Sequence, residues 1–240
     1  LNMRTEQATR WIQMDRWDAC PADVDPESLK GKECVAGLDL SSTQDTTSLV
    51  LVFKLPDGRV AVLPWVWVPA AQVRRRERRG MVEYATWVRQ DHLHEIEGNV
   101  VDYDVVRAKV NALGKVYKIK EIAVDEWQAI QTITDLQGDG FNVVRFRQGF
   151  KSMSSPSKEL ERLVVSGRLI HFNHPVLRWM ASNVKVATDP AENVKPVKED
   201  PNSPNKIDGI VALVMALGRA GVAEPAKKSI YLTRGLASTK

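Results

Sequence analysis

This 240-residue chain contains only two cysteines, Cys20 and Cys34, and four histidines. The cysteines have no metal-ligand spacing, which argues against a zinc ribbon or disulfide scaffold and for a reduced, intracellular setting. No apolar run approaches the roughly 18 residues of a transmembrane helix, so no membrane partner is expected. The start, Leu1-Asn2-Met3-Arg4, lacks the basic-then-apolar order of a signal peptide. It also lacks an initiator methionine, so a piece of a longer chain is expected. There is no Gly-x4-Gly-Lys-Ser/Thr loop, which excludes a P-loop ATPase motor in this chain. No internal repeat is visible.

What remains is an ordinary globular composition, 43% hydrophobic and 27% charged. The length suffices for one large domain, or one domain with extensions. The net charge of +4 is compatible with a phosphate-rich partner without selecting one.

The most informative stretch runs from Cys34 to Asp45, Cys-Val-Ala-Gly-Leu-Asp-Leu-Ser-Ser-Thr-Gln-Asp. An apolar strand-like run carries one acid, Asp39, between Leu38 and Leu40. An ionised carboxylate is rarely buried without a partner, because losing water costs several kcal/mol or more. Either a cation sits beside Asp39 or the strand is less buried than it looks. Strand alternation puts Asp39 on one face with Gly37 and Ser41, opposite Ala36, Leu38 and Leu40. A face of small residues with one acid is a reasonable floor for a metal site.

Around this stretch the elements follow from periodicity and turn chemistry. Thr5–Asp18 reads as a short helix, packed on the domain or linking it to something upstream. Strands are expected at Cys34–Ser41, Thr46–Phe53 and Val60–Val68, joined by short turns into an antiparallel meander. Pro64 suggests an edge or a bulge in the third. Helices are expected over 80–91 and 103–117, the latter with Val105, Val106, Val110 and Leu113 on one stripe. The run Arg74-Arg75-Arg76-Glu77-Arg78-Arg79 reads as solvated surface or as a phosphate-contacting patch. A strand at Lys120–Asp125, a helix at Glu126–Gln137 and a strand at Phe141–Phe146 make a βαβ unit with parallel strands. Helices at Ser157–Ser166 and His174–Asn183 follow, then a hairpin over 184–198. A helix at Ile207–Ala220, apolar nearly all round, belongs against the sheet. The four histidines read as surface or locally bonded groups.

Three acids, Asp39, Asp125 and Asp208, thus sit on apolar elements far apart in sequence. If the sheet brings them together, they cannot all ionise without a counter-charge. A hard divalent cation resolves that. Mg²⁺ or Mn²⁺ suits an all-oxygen set better than zinc, and two such ions would serve phosphodiester hydrolysis. Each acid also has a plainer reading. Asp208 could be a first-turn acid favoured by the helix dipole, and Asp125 an N-cap. Asp39, inside a strand, has the weakest alternative. Asp45 reads as a turn residue or an auxiliary of the site.

Three pieces of sequence resemble the nuclease domain of the large terminase subunit of tailed bacteriophages. They are Gly37–Asp45, Ala123-Val124-Asp125-Glu126-Trp127-Gln128-Ala129, and Pro175–Asn183 with Lys206-Ile207-Asp208-Gly209-Ile210-Val211-Ala212-Leu213. The resemblance extends from about Trp11 to Ala220. It departs at Glu126, where Pro or another neutral residue is expected, and which adds a fourth possible acid.

The resemblance implies an α/β, RNase H-like fold, with a mixed sheet of antiparallel meander and parallel βαβ strands flanked by helices. It implies a linker from an upstream ATPase motor domain at 1–30, a nuclease domain at 31–221 and a flexible tail at 222–240. It implies a two-metal endonuclease cutting concatemeric viral DNA in the host cytoplasm, with double-stranded DNA, portal and small terminase subunit as partners. Carried over to this chain, Asp39, Asp125 and Asp208 would be metal ligands. Lys198 and Lys206 would steady phosphate, Lys206 having the alternative of a solvated first-turn lysine. Lys185 and Lys195 on the hairpin would contact the DNA backbone, which positions a duplex without reading its sequence. The alternatives are another RNase H-like nuclease of resolvase or integrase type, a sugar-kinase or actin-like fold, for which one domain of this size is too short, and a non-catalytic DNA-binding or docking module.

Overall fold

The structure, a computed structural model, describes residues 11–41, 46–78, 83–125, 129–200 and 203–222. In chain order the elements are α1 (Met14–Asp18), β1 (Glu33–Asp39), β2 (Thr47–Lys54), β3 (Val60–Pro69), α2 (Ala70–Glu77) and α3 (Glu83–Arg89). Then follow β4 (His94–Ile96), α4 (Tyr103–Val116), β5 (Lys118–Asp125), α5 (Ile130–Gly138) and β6 (Val143–Phe146). The remainder is α6 (Phe150–Val165), β7 (Leu169–Ile170), α7 (Pro175–Asn183), β8 (Lys185–Thr188), β9 (Val194–Val197) and α8 (Asp208–Val222).

Six strands line up as β4-β3-β2-β1-β5-β6, with β7 also pairing with β3. The β1-β2-β3 meander is antiparallel, and β1, β5 and β6 run parallel. Both features match the expected mixed sheet. Pro64 pairs with Val50 on β2, while the outer edge of β3 is taken by β4 only at Trp67–Pro69 and by β7 only at Val60–Ala61. The missing N–H of Pro64 therefore falls between two short edge partners, where no ladder bond is interrupted.

Two apolar layers follow from strand alternation. Val35, Val50, Val52, Val62, Val66 and Ala123 face one side with α6, α7 and α8. Ala36, Leu38, Leu49, Leu51, Ile122 and Val124 face the other with Val106, Val110, Ile133 and Leu136 of α4 and α5. Gly37 lets α8 lie almost on the strand: a Cβ there would stand 1.9 Å from the Ala212 carbonyl oxygen. Residues 11–30 share the core, with Trp17 and Leu29 fully buried.

Several expectations need correction. Helix α6 begins at Phe150 and carries Pro156 inside it, rather than starting after it. Pro156 is buried, and its ring lies against Gly218 of α8, so packing outweighs the backbone bond that proline cannot make. The helix expected over 80–91 is observed over Glu83–Arg89, and α2 precedes it. The arginine run is not simply solvated: Arg76 is buried, 4.3 Å from the Tyr84 ring centroid, and donates to the Pro204 carbonyl. Val105 is off the α4 stripe, 43% exposed. His171 is a core residue, stacked on Trp17 with ring centroids 4.5 Å apart. His174 has the expected local bond: it caps α7 by accepting from the Leu177 N–H, a role for a neutral ring, and burial pushes its pKa down to about 3.

Candidate functional site

Strand β1 ends at Asp39 and the parallel strand β5 ends at Asp125. Their last register pair is Leu38 with Val124, so the two acids are the next residues of neighbouring strands. Gly37 and Ala123, two residues earlier, lie on the α8 side. By alternation Asp39 and Asp125 point to that same side. Asp39 also pairs across with Ser48 of β2. Helix α8 opens with Asp208, only 7% exposed, and Gly209 sits over Ser48, 3.9 Å from Ser48 Oγ at the position a Cβ would take. The backbone positions of the three acids therefore lie at one end of the sheet, on one face, although they come from elements far apart in the chain.

Hydrogen bonds orient two of them. Gln148 Nε2 donates to Asp39 Oδ1 at 2.9 Å. Thr46 Oγ1 donates to Asp208 Oδ2 at 2.6 Å, inside the core. Sequence reasoning singles out neither donor. Gln148 lies two residues beyond β6, and the rule that ligands gather beyond the carboxyl ends of parallel strands is the signal that points to it. Thr46, Thr47 and Ser48, all buried, open an otherwise apolar strand, and that polarity is the signal for Thr46. The N-cap reading of Asp125 does not fit, because α5 begins at Ile130 with Ala129 as its cap.

The expected cations are placed unevenly. Lys206 is buried, and its carbonyl accepts from Asn183 Nδ2, so the solvated first-turn reading fails. Lys198 is half-buried just past β9. Lys185 Nζ lies 3.1 Å from Glu199 Oε1. Lys195 Nζ stands 5.0 Å over the Phe150 ring. Asp45 and Glu126 lie outside the described residues.

The donor set suits a hard cation in kind: carboxylates and hydroxyls, with no thiol or imidazole among the residues named. The Ser48 hydroxyl, wholly buried beside Asp39, has no hydrogen-bond partner among the described residues, the sort of orphan that an ion with its water would relieve. As the side chains lie, no three His, Cys, Asp or Glu groups among the described residues are close enough to hold an ion. Asp39 accepts one bond from Gln148 and Asp208 one from Thr46. The cysteines take no part; both are buried thiols, and burial pushes Cys34 up to about 12.

Comparison with known proteins decides the family. The family described as the terminase large subunit, endonuclease domain, matches residues 1–224. The chain belongs to the terminase large-subunit endonuclease family. The large terminase subunit of Enterobacteria phage HK97 is 33% identical over 225 residues, covering 92% of this chain and 43% of that protein. Its crystal structure superposes with a TM-score of 0.79 over 89% of this chain and 44% of the HK97 chain. Protein YmfN of Escherichia coli K12 is 32% identical over 231 residues, covering 92% of this chain and half of YmfN. The large terminase nuclease of the thermophilic phage G20c, solved with bound magnesium, shares the fold at 14% identity, with a TM-score of 0.51 over 83% of this chain and 86% of that one. This terminase nuclease domain thus has the RNase H-like fold. It spans about half the length of the curated relatives it matches. No helix among its described residues is long and apolar enough to cross a membrane.

Proposed function

We propose that this domain is a divalent-metal-dependent DNA endonuclease that cuts concatemeric viral DNA during genome packaging, with Asp39, Asp125 and Asp208 as the acids that hold its cations. The observation that carries this is the shared end of β1 and β5 under the first turn of α8, which gathers the three acids on one face. Two such ions, Mg²⁺ or Mn²⁺, would supply an activated water and charge stabilisation at the leaving oxygen. Magnesium bound by the G20c nuclease supports that choice.

The chain's own residues do the rest. Asp39, between the other two acids, is suited to serve both ions. Lys206, buried two residues before Asp208, and Lys198 bring positive charge toward a phosphate. Lys185 and Lys195 on the β8–β9 hairpin contact the backbone of a duplex beside the cut. Asp45 and Glu126 add negative charge close to the three acids in sequence. In the whole protein the domain works beside an ATPase motor domain, with portal and small terminase subunit, in the cytoplasm of the infected host. Residues 1–30 lead from that motor into this domain, 11–30 packing on its core, and the expected tail lies beyond the described residues after Val222.

The test is incubation with supercoiled plasmid in Mg²⁺, Mn²⁺ or EDTA. Metal-dependent nicking and linearisation are expected in the wild type. Asp39→Ala, Asp125→Ala and Asp208→Ala should each abolish it with the melting temperature retained. Full activity in one variant removes that residue from the site. DNA binding without cleavage in any metal would favour a binding module.

A further inference from the structure

We infer that Gln148 and Thr46 are positioning residues of the acid site, each holding one carboxylate in place from an uncharged side chain. The inference rests on the reading of Asp39 and Asp208 as cation-holding acids.

Gln148 follows β6, which neighbours β5 and not β1. To reach Asp39 Oδ1 at 2.9 Å its side chain extends past the end of β5, where Asp125 stands. Its amide nitrogen also lies 3.9 Å from the Met215 sulfur on α8. The amide is thereby lodged between the strand ends and the helix. Thr46 sits at the mouth of β2, 1% exposed, and its hydroxyl bonds Asp208 Oδ2 at 2.6 Å. A carboxylate held at one oxygen cannot turn freely about its Cβ–Cγ bond, so the direction of its second oxygen is set as well.

The chemical identity of the donors is the telling point. A lysine or arginine at either place would neutralise the acid and compete with a cation for it. An amide or hydroxyl fixes the orientation without itself neutralising the charge. Elsewhere Asp18 is fixed by Arg178 and Asp139 by Arg107 with Asn111, while Asp189, on an exposed turn, is held by Asn193 and backbone N–H groups. Groups that hold a ligand in place typically change metal affinity 10- to 100-fold when lost.

The experiment is calorimetric titration with Mn²⁺ of the wild type, Thr46→Val, Thr46→Ser and Gln148→Leu, with a melting curve for each sample. Thr46→Val keeps the shape and removes the hydroxyl. Gln148 is half-buried, so Gln148→Leu tests the idea without emptying the core. We expect Mn²⁺ affinity about 10-fold weaker in the valine and leucine variants, and near wild type in the serine variant. Wild-type affinity in both the valine and leucine variants overturns the inference. A weakening at Thr46 that serine does not restore removes Thr46 from it. If the wild type takes up no Mn²⁺, or Asp208→Ala takes it up equally well, the underlying reading of the acids fails instead.

Discussion

The sheet face under α8 and the face under α4 and α5 are built from the same strands, but they bury them in different ways. Under α8 the contact at Gly37 is backbone to backbone. Gly37 has no room for a Cβ against the Ala212 carbonyl, and α8 is apolar nearly all round. At the end of the sheet on this side stand Asp39, Asp125, Asp208, Thr46 and Ser48. Under α4 and α5 the helices are amphipathic and stand on side chains, Val106, Val110, Leu113, Ile133 and Leu136. Their polar fastening is an ordinary ion pair at the rim: Arg107 Nε and Nη2 reach Asp139 at 2.6 and 2.5 Å, and Asn111 adds a bond of 2.7 Å. Asp39 and Asp208 thus accept from an amide and a hydroxyl, whereas Glu121, farther along the same face, accepts from Arg219, as Asp139 does from Arg107 on the other. The first arrangement suits an acid that must receive a metal; the second suits an acid whose work is structural.

That contrast can be tested by substitution. The largest effect on folding is expected from Gly37→Val. The side chain has to displace α8, and a loss of about 3 kcal/mol or more follows from overpacking where backbone cannot yield; urea unfolding midpoints measure it. A variant as stable as wild type would mean that the close approach does not organise this face. Next comes Asp139→Asn on the opposite face. Bonds from Arg107 first, and from Asn111, hold the Asp139 carboxyl at about 2, below its ordinary 3.8. Because the folded value is the lower one, this stability is present above about pH 4 and is lost as pH falls through about 2. The wild type should therefore lose its advantage over the asparagine variant on acidification, while metal-dependent cleavage at neutral pH stays unchanged. Equal acid sensitivity of the two proteins would remove the ion pair as the fastening of that face. The smallest effect is expected from joint replacement of Lys185 and Lys195 by alanine. The hairpin belongs to the α8 side, where the Val194 N–H donates to Ser154 Oγ of α6. DNA binding should weaken, and its salt dependence should flatten by about one unit of slope per lysine. An unchanged slope would leave the lysines to their partners Glu199 and Phe150.

Much of the site is legible in the chain's linear order. A carboxylate between Leu38 and Leu40 contradicts its surroundings, and contradictions of that kind mark function. The meander, the parallel βαβ pair and the apolar α8 follow from periods of two and 3.6 and from turn residues. The errors have local causes. Pro156 reads as a helix boundary because isolated chain chemistry says so, and only its seat against Gly218 overrules that. Strands β4 and β7, three and two residues long, are too short for any period to register. Arg76 looks like one of a solvated run because its partners Trp179 and the Pro204 carbonyl lie far along the chain, and Tyr84 lies on the next helix.

By itself, then, the sequence determined most of the longer elements and the family, and singled out three candidate acids. Each of these depends on residue type and short-range spacing, which the chain carries in linear form. Which partners the acids take was decided by tertiary structure alone. Thr46 meets Asp208 across 162 residues and Gln148 meets Asp39 across 109. Contacts over such separations exist only once strand order and the crossing of α8 over Gly37 have fixed which element ends are neighbours.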